Sequence, residues 1–437
     1  MAPRLREKQG GRAPWLPGPG GPPDRRTIAA AAFLFLLSLA ACLAFVFAYP
    51  LPEVRYDSAE YLSLARSLAE GTGYSQDGGL TPAVYRPPLF SLLLGGWFRL
   101  TGTRTVESAA VFQSVLHALG VLASFALFLS VLPSLAWAVG ASLFLAVNPL
   151  LVTRAVFVLQ EPTLLLTTTI AVLASVRLIQ APSTARSAEA GAAWGICALA
   201  KVVCWFAPFL LLAMRLLPQG RRWEWGGKEA AALLFCFVAV IAPWTVRNYV
   251  HFHRFIPVNG QGAGVLEWNV LHAVISGKPD GERFAAEVSR KDISAEAKKA
   301  LLWEYVFEHP RHFLVDRVVR NAVHFAALPR DWWIARGTVR PGEHGTRYWA
   351  LAVLFHLPLY IFLLRRTWKW GRGEASASMG FLVLFYWAYW IEHAVLWGDP
   401  RYGLAIYPLL VGAILPLARP VRTAGGTECG ESLQTPG

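Results

Sequence analysis

The sequence predicts an all-α, polytopic membrane protein, and its composition and hydropathy both lead to that fold class. Hydrophobic residues make up 55% of the 437 residues and charged residues only 16%, whereas soluble domains carry about 25% charged residues. The mean hydropathy is +0.40, and several windows hold the roughly 20 apolar residues that cross a bilayer core. Backbone groups in lipid must be hydrogen-bonded within the protein, and these windows lack strand alternation, so the spans are expected to be helices.

Apolar segments predict about ten spans. They lie at 28–49, 106–132, 135–151, 162–179, 188–200, 202–217, 229–246, 348–364, 379–397 and 404–417. Segment 88–100 is apolar but has only about 13 residues, so we expect a re-entrant or interfacial helix there. If it spans instead, a later short pair forms one crossing. The stretch 188–217 fits either two short helices or one long bent helix.

Basic residues cluster in short loops beside the apolar segments, a pattern that sets membrane orientation. The clusters place the N-terminus inside and loops 50–107 and 249–347 on the external face. Topology therefore accounts for the net charge of +13. Because no basic patch with interleaved aromatics lies outside these loops, we expect no nucleic-acid partner. The clusters are Arg25-Arg26, Arg221-Arg222 with Lys228, Arg365-Arg366 with Lys369, and Arg419 with Arg422.

The chain is expected to form one membrane domain, residues 27–418, between two cytoplasmic tails. Residues 1–26 are rich in Gly, Pro and Arg and predict disorder, and residues 419–437 form the second tail. The large external loop holds a charged helical stretch at 281–309 and an amphipathic one at 310–327. A loop of this length in a compact protein is usually functional.

The sequence gives no indication of a metal or a cofactor. Its five cysteines show neither CxxC nor Cys/His ligand spacing, and the external histidines have no HExxH spacing. The phosphate-binding patterns G-x-x-x-x-G-K-[ST] and G-x-G-x-x-G do not occur. Their absence argues against ATP-driven transport and against a cytosolic nucleotide-sugar enzyme.

Acids and an arginine follow the first span, at residues 56–61 and 85–89. Asp57 and Glu60 are candidates for a general base at the membrane surface, although Asp57 could equally cap the helix that follows it. Arg86 stands before two prolines that hold the local backbone extended. Its guanidinium suits a phosphate because it binds two oxygens at once, or it could extend to lipid head groups.

Further candidates lie on the same predicted face. Glu161 starts a span, where it could complement the helix dipole, but an ionisable group so near the membrane is also a functional candidate. Arg247 could neutralise the carbonyl end of a helix, and Arg401 and Tyr402 could be interfacial anchors. The convergence of these residues on one face, from distant parts of the chain, predicts a single site.

Short motifs occur in a fixed order over most of residues 28–417. In these motifs the chain resembles the GT-C superfamily of membrane glycosyltransferases, in particular the protein O-mannosyltransferase and aminoarabinose-transferase group that includes lipopolysaccharide-core enzymes. The resemblance implies the GT-C fold and a membrane-embedded enzyme. The motifs are Asp57-Ser-Ala-Glu-Tyr61 with Gly71-Thr-Gly-Tyr74, Arg86-Pro-Pro-Leu89, Asn148-Pro149, Glu161, Ala242-Pro-Trp-Thr-Val-Arg-Asn-Tyr249 with Ile256-Pro257, and Arg401-Tyr402.

The resemblance also implies a reaction. The enzyme would take a sugar from a polyprenyl-phosphate donor and transfer it, usually with inversion, to a glycan, lipid or protein acceptor on the extracytoplasmic face of the cell membrane. By this resemblance Asp57 would be the base or orient the acceptor, and Glu161 would match the acid of the second external loop. Arg86 stands where aminoarabinose transferases carry a lysine and would bind the donor phosphate, and Arg401 would match a basic residue near it.

Two further expectations complete the predicted site. Arg247 and Tyr402 are counted with the groups at the donor phosphate, and because guanidinium groups can stabilise its charge, no metal is required. The family's usual Asp-Glu pair is here Asp57-Ser58, and the next acid is Glu60. Acceptor recognition is expected to rest on the two external loops.

A transporter or flippase of lipid-linked sugars is one alternative, and a polymerase or ligase of glycans is another. Transporters often show paired hydropathy repeats and charged residues near the bilayer midplane. Here the ionisable residues lie at one face and no repeat is evident, which favours an enzyme. A polymerase or ligase would share the external arginines, and the sequence leaves it open.

Overall fold

The computed structural model describes residues 24–216, 225–260, 294–326, 346–396 and 398–415. Most of the first predicted tail, the whole of the second and parts of the predicted external loop 249–347 therefore lie outside the described residues. Within the described ranges the chain is helical, and its β-structure is one isolated antiparallel bridge between Ser75 and Pro82.

The helices follow the predicted apolar segments, with additional helices in the two loops that the sequence predicts to be external. They are α1 (Arg25–Ala48), α2 (Asp57–Glu70), α3 (Pro88–Thr101), α4 (Val106–Val131), α5 (Leu135–Ala146), α6 (Pro149–Val152), α7 (Glu161–Gln180), α8 (Thr184–Ala200), α9 (Ala207–Met214), α10 (Gly227–Phe252), α11 (Ala295–Glu308), α12 (Arg320–Phe325), α13 (Thr346–Gly371), α14 (Ala377–Val395), α15 (Pro400–Leu404) and α16 (Tyr407–Ile414). Short 3₁₀ turns cover Thr153–Val156 and Val202–Phe206, and a π-helix covers His312–Val319.

Four of the described helices, α1, α4, α7 and α10, are long and apolar enough to cross a membrane. The other predicted spans coincide with α5, α8, α9, α13, α14 and α16, which are shorter or less apolar. Two predicted spans are broken. Segment 202–217 begins with a 3₁₀ turn, and 404–417 is divided between α15 and α16. In both cases the helix restarts one residue before a proline, Pro208 or Pro408, because proline fits the first turn, where its missing N–H is not needed.

The short apolar segment near residue 90 forms the separate helix α3, which packs against α2. Its 14 residues extend about 21 Å, less than the roughly 30 Å of a bilayer core. The two helices meet closely at Gly95, where an added Cβ would lie 2.8 Å from Leu68 Cβ. Tyr61 and Phe90 also form an edge-to-face pair, with ring centroids 5.2 Å apart. This pair of helices holds the first group of candidate residues.

Glycines bring α8 and α10 into direct backbone contact. A Cβ added at Gly191 would lie 2.1 Å from the Leu233 carbonyl oxygen, and one added at Gly195 would lie 2.7 Å from Val240 Cβ. Small residues four apart are the usual means of close helix packing in membranes, where lipid tails remove the hydrophobic driving force between helices.

The π-helix within the long segment 249–347, with the start of α12, holds the carbonyl end of α14. Arg317 donates from Nε to the Val395 carbonyl at 2.8 Å and from Nη2 to the Leu396 carbonyl at 3.0 Å. Asn321 donates to the Ala394 carbonyl at 3.1 Å. These bonds satisfy carbonyls that a helix end leaves unpaired. They also fix the chain just before α15, which carries another candidate residue.

Candidate functional site

The site begins at the first turn of α2. Tyr56, the residue before it, has a backbone φ of +49°, a value that is uncommon outside glycine and that clusters at functional sites. Asp57 is the first residue of the helix, and no side chain caps α2. The capping explanation for Asp57 therefore does not hold. Its carboxylate, like that of Glu60 in the same turn, is directed to arginine.

Arg86 joins the two acids of α2. Its Nη2 lies 2.6 Å from Asp57 Oδ1 and its Nε lies 2.5 Å from Glu60 Oε2. The arginine side chain is 9% exposed, and the two carboxylates are about one-third exposed. Both acids thus share one guanidinium, which fixes their relative position.

The loop that carries Arg86 is held from two sides. Tyr74 donates its hydroxyl to the Arg86 carbonyl at 2.9 Å. From α10, Arg247 donates to the carbonyls of Ala83, at 2.7 Å, and Tyr74, at 3.3 Å. Asn259, which follows α10, donates to the Tyr85 carbonyl at 2.9 Å. Arg247 therefore supports the loop through its backbone.

Arg401, near the end of the chain, binds the other oxygen of Asp57. Its Nη2 lies 3.0 Å from Asp57 Oδ2 and donates to the Tyr402 hydroxyl, also at 3.0 Å. Asp399 caps α15 by accepting from the Arg401 backbone N–H at 2.9 Å, and its Oδ2 lies 3.5 Å from Arg401 Nε. The capped start of α15 thus sets the direction of the Arg401 side chain.

Glu161 approaches Arg401 from the start of α7. Its side chain is 4% exposed, and its Oε1 lies 3.7 Å from Arg401 Nε. Its Oε2 has no hydrogen-bond partner among the described residues. The same carboxylate borders a small cleft between α4, α7 and α15, which is lined by His117, Leu151, Arg154, Glu161, Pro162, Leu165, Leu404 and Ala405.

The charges around Asp57 determine its protonation. Burial raises the pKa of Asp57, but the guanidinium groups of Arg401 and Arg86 outweigh that effect, and the net pKa lies below the ordinary value. Asp57 is therefore ionised at neutral pH, with one cation on each oxygen. Such a carboxylate can align a hydroxyl and accept its proton, while the guanidinium groups beside it can balance an incoming anion.

The structure brings six of the seven sequence-predicted residues into one cluster and places the seventh beside it. Asp57, Glu60, Arg86, Glu161, Arg401 and Tyr402 form the connected cluster. Arg247 contacts backbone carbonyls of the neighbouring loop instead of the carboxylates.

Sequence reasoning missed Asp399 and Lys201. Asp399 lies two residues before Arg401 in the same predicted loop. Lys201 lies between α8 and the following 3₁₀ turn, and its Nζ lies 3.0 Å from the centroid of the Tyr402 ring. A lone cation between two apolar segments is a signal that could have identified it.

No protein-family model matches the sequence, and no curated protein matches it. Solved structures do. The oligosaccharyltransferase of Archaeoglobus fulgidus, in a structure tethered to an acceptor peptide, is 14% identical with a TM-score of 0.49; the match covers 89% of this chain and 49% of that protein. The chain thus spans about half the length of this oligosaccharyltransferase.

ArnT from Cupriavidus metallidurans is also similar, again at 14% identity. Its structure bound to undecaprenyl phosphate gives a TM-score of 0.40, with 89% of this chain and 77% of that one covered. The apo structure gives 0.39, with 89% and 76% covered. At this identity and superposition, nothing about the chemistry of this chain follows from these structures.

Proposed function

We propose that this protein is a glycosyltransferase that moves a sugar from a polyprenyl-phosphate donor to a glycan, lipid or protein acceptor at the extracytoplasmic face of the cell membrane. The observation that carries the proposal is the position of Asp57, held between Arg86 and Arg401 at 2.6 and 3.0 Å in a protein made of apolar helices. A fixed, ionised carboxylate beside largely buried cations is what transfer from an anionic lipid donor requires.

The chemical step uses few groups. The acceptor oxygen or nitrogen attacks the anomeric carbon, and Asp57 takes the acceptor's proton. The bond between the anomeric carbon and the phosphate oxygen breaks, and its electron pair leaves with the lipid phosphate. Arg86 and Arg401 stabilise the negative charge that accumulates on that phosphate.

The lowered pKa of Asp57 makes it a weak base, and this is consistent with glycosyl transfer. The transition state of such reactions is oxocarbenium-like, so the leaving phosphate departs early and the acceptor becomes acidic only as it bonds. Asp57 then needs to align the acceptor and receive the proton late. A higher pKa of Asp57 would therefore add little to the rate of transfer.

The two other acids support this arrangement. Glu60 shares Arg86 with Asp57. It therefore supplies the second carboxylate, which is missing at position 58 because this chain has a serine there. Glu161 contributes charge beside Arg401 from α7. In this proposal both keep the arginines in position, and Asp57 alone meets the acceptor.

The location of the cluster favours an enzyme over a transporter. Its members lie at the first turns of α2, α7 and α15 and in the loop before α3. These are element ends, whereas transporters commonly place their charged residues near the bilayer midplane. Because basic loops orient the chain, we assign this end of the helices to the extracytoplasmic side.

The test compares the lipid-linked sugars and envelope glycans of cells that lack the protein with those of cells complemented by wild type or by Asp57→Asn. We expect the deletion to accumulate one polyprenyl-phosphate sugar and to lose one sugar from a glycan, lipid or protein. Wild type should reverse both changes and Asp57→Asn neither. Unchanged sugars in the deletion strain would contradict the proposed function.

A second measurement separates transfer from transport. Purified protein in detergent, without closed vesicles, should move a radiolabelled sugar from the accumulated lipid to an acceptor extract. A flippase would show no transfer under these conditions. A polymerase or ligase would transfer a preassembled glycan instead of a single sugar, and mass spectrometry of the product distinguishes these outcomes.

A further inference from the structure

Both arginines of the cluster already face carboxylates. Arg86 contacts two acidic side chains and Arg401 contacts three, all within 4 Å. A phosphate that approached either guanidinium would meet these carboxylates at short range, where like charges repel. The arginines can contribute to donor binding and stabilise charge that develops during the reaction, but a cation with no carboxylate within 4 Å would bind the donor phosphate with less repulsion.

Lys201 is such a cation. Its Nζ is buried and has no hydrogen-bond partner in the described part of the chain, and it forms none of the ion pairs found there within 4 Å. Its contact is with the aromatic face of Tyr402, at 3.0 Å from the ring centroid. The carboxylates of Glu161, Asp399 and Glu392 act on Lys201 only from beyond ion-pair distance. A buried ammonium group without an ion-pair partner is costly, and cation–π contact offsets only part of that cost.

Tyr402 connects Lys201 to the cluster. The Tyr402 hydroxyl accepts a hydrogen bond from Arg401 Nη2, and the same Nη2 binds Asp57. Lys201 is therefore joined to Asp57 through Tyr402 and Arg401, and the described residues show no direct contact between the two side chains. In an inverting transfer the acceptor and the leaving group occupy opposite sides of the anomeric carbon, so a base at Asp57 requires a phosphate site displaced from it in this way.

The surroundings of Lys201 suit a lipid chain. Lys201 is followed by the 3₁₀ turn and α9, on which Trp205 and Phe209 are 53% and 51% exposed. In a membrane protein such an apolar surface faces hydrocarbon. A polyprenyl tail lying on this surface would bring its phosphate to the start of the segment, where Lys201 lies.

We propose that Lys201 binds the phosphate of the polyprenyl-phosphate donor, with the lipid tail along the exposed side of residues 202–214. This assignment rests on the proposed function and adds a donor-binding residue to it. The Nζ ammonium makes charge-assisted hydrogen bonds to phosphate oxygens, and Arg401 remains on Asp57.

The experiment measures binding of undecaprenyl phosphate to the purified full-length protein in nanodiscs, by native mass spectrometry. Undecaprenol, which has the same tail without the phosphate, is the second probe. The variants are Lys201→Met, which removes the charge at similar length, and Lys201→Arg, which keeps it. Lys228→Met, at an exposed lysine at the start of α10, is the matched control.

We expect Lys201→Met to weaken undecaprenyl phosphate binding by about tenfold or more, the usual loss for a charge-assisted hydrogen bond, and to leave undecaprenol binding unchanged. Lys201→Arg should retain most of the affinity, and Lys228→Met all of it. If Lys201→Met fails to fold, as thermal unfolding would show, Lys201→Gln takes its place.

The outcomes separate the two proposals. Wild-type binding of undecaprenyl phosphate together with equal binding by Lys201→Met or Lys201→Gln overturns the role of Lys201 alone. Equal loss of both lipids would mean that the residue supports the fold of the tail surface, which also overturns the phosphate assignment. A wild-type protein that prefers neither lipid over the other contradicts the proposed function itself.

Discussion

The guanidinium of Arg401 lies 3.0 Å from the carboxylate of Asp57, although 344 positions separate the two residues in the chain. This contact joins the first turn of α2 to the short helix α15 near the end of the described chain. It forms only when the intervening helices have packed. The candidate site is therefore a product of the whole helical assembly.

Replacing Asp57 by Asn should abolish sugar transfer while the protein remains folded. The amide keeps an oxygen for one arginine but cannot accept the acceptor's proton, and general-base catalysis contributes about 10²–10⁴-fold. Transfer from the polyprenyl-phosphate sugar is the measurement, with thermal unfolding as the check on folding. Glu53→Gln, at an exposed acid paired with Arg55, is the control and should behave as wild type. Full activity of Asp57→Asn would exclude Asp57 as the base.

Replacing Arg86 by Ala should weaken donor binding and lower stability together. Two partly buried carboxylates would lose their shared cation, and uncompensated buried charge commonly costs about 3–5 kcal/mol. Arg86→Lys should recover part of the stability but not the paired geometry. The exposed Arg104, paired with Glu70 at 2.7 Å, provides the control, because Arg104→Ala should change stability by about 1 kcal/mol or less. Unchanged donor affinity in Arg86→Ala would limit Arg86 to anchoring its loop.

Replacing Arg247 by Ala should loosen the loop that carries Arg86. The variant loses the bonds to the Ala83 and Tyr74 carbonyls, worth about 1.5–3 kcal/mol for a charged donor. Hydrogen exchange of residues 74–86 should increase, and transfer should slow. Arg254→Ala, at an exposed arginine just after α10, should change neither. Loss of donor binding without faster exchange would instead place Arg247 in contact with the donor.

Replacing Gly191 by Ala should destabilise the contact between α8 and α10, because the new Cβ would lie 2.1 Å from the Leu233 carbonyl oxygen. Separation of the two helices should cost about 1–3 kcal/mol, seen as a lower thermal midpoint in detergent. Gly140→Ala, in α5, meets no atom within 4 Å and should be neutral or stabilising, since Gly costs about 0.5–1 kcal/mol relative to Ala in a helix. Equal midpoints for the two variants would contradict the close approach of α8 and α10.

The stabilisation that Asp57 provides should persist under mildly acidic conditions. The pKa of Asp57 in the folded protein lies below the ordinary value of 3.8. The contribution of Asp57 is therefore fully present above that value and is lost as pH falls through the lower folded pKa. The difference in thermal stability between wild type and Asp57→Asn should therefore be constant from about pH 7 to about pH 5 and shrink below about pH 4. A difference that already disappears near pH 6 would show that the arginines do not lower the Asp57 pKa.

The sequence by itself determined the fold class and the identity of most of the candidate residues. Apolar windows of about 20 residues can only be helical spans in lipid, and a charged group beside such a window is noticeable because it is costly there. Both signals lie within short segments of the sequence, so they can be recognised without knowing which residues are in contact in the folded protein. The short helix at residue 90 was predicted from length alone, for the same reason.

Only the tertiary structure decided what these residues contact. Whether Asp57 capped its helix or paired with arginine depended on Arg401, which no local pattern connects to it. Arg247 has the same charge as Arg401, yet it lies near the C-terminal end of its helix and binds backbone carbonyls. Lys201 became a candidate only because Tyr402 and Arg401 lie beside it. Ion pairs form between side chains that packing brings within about 4 Å, and packing over hundreds of residues is not encoded in any one segment.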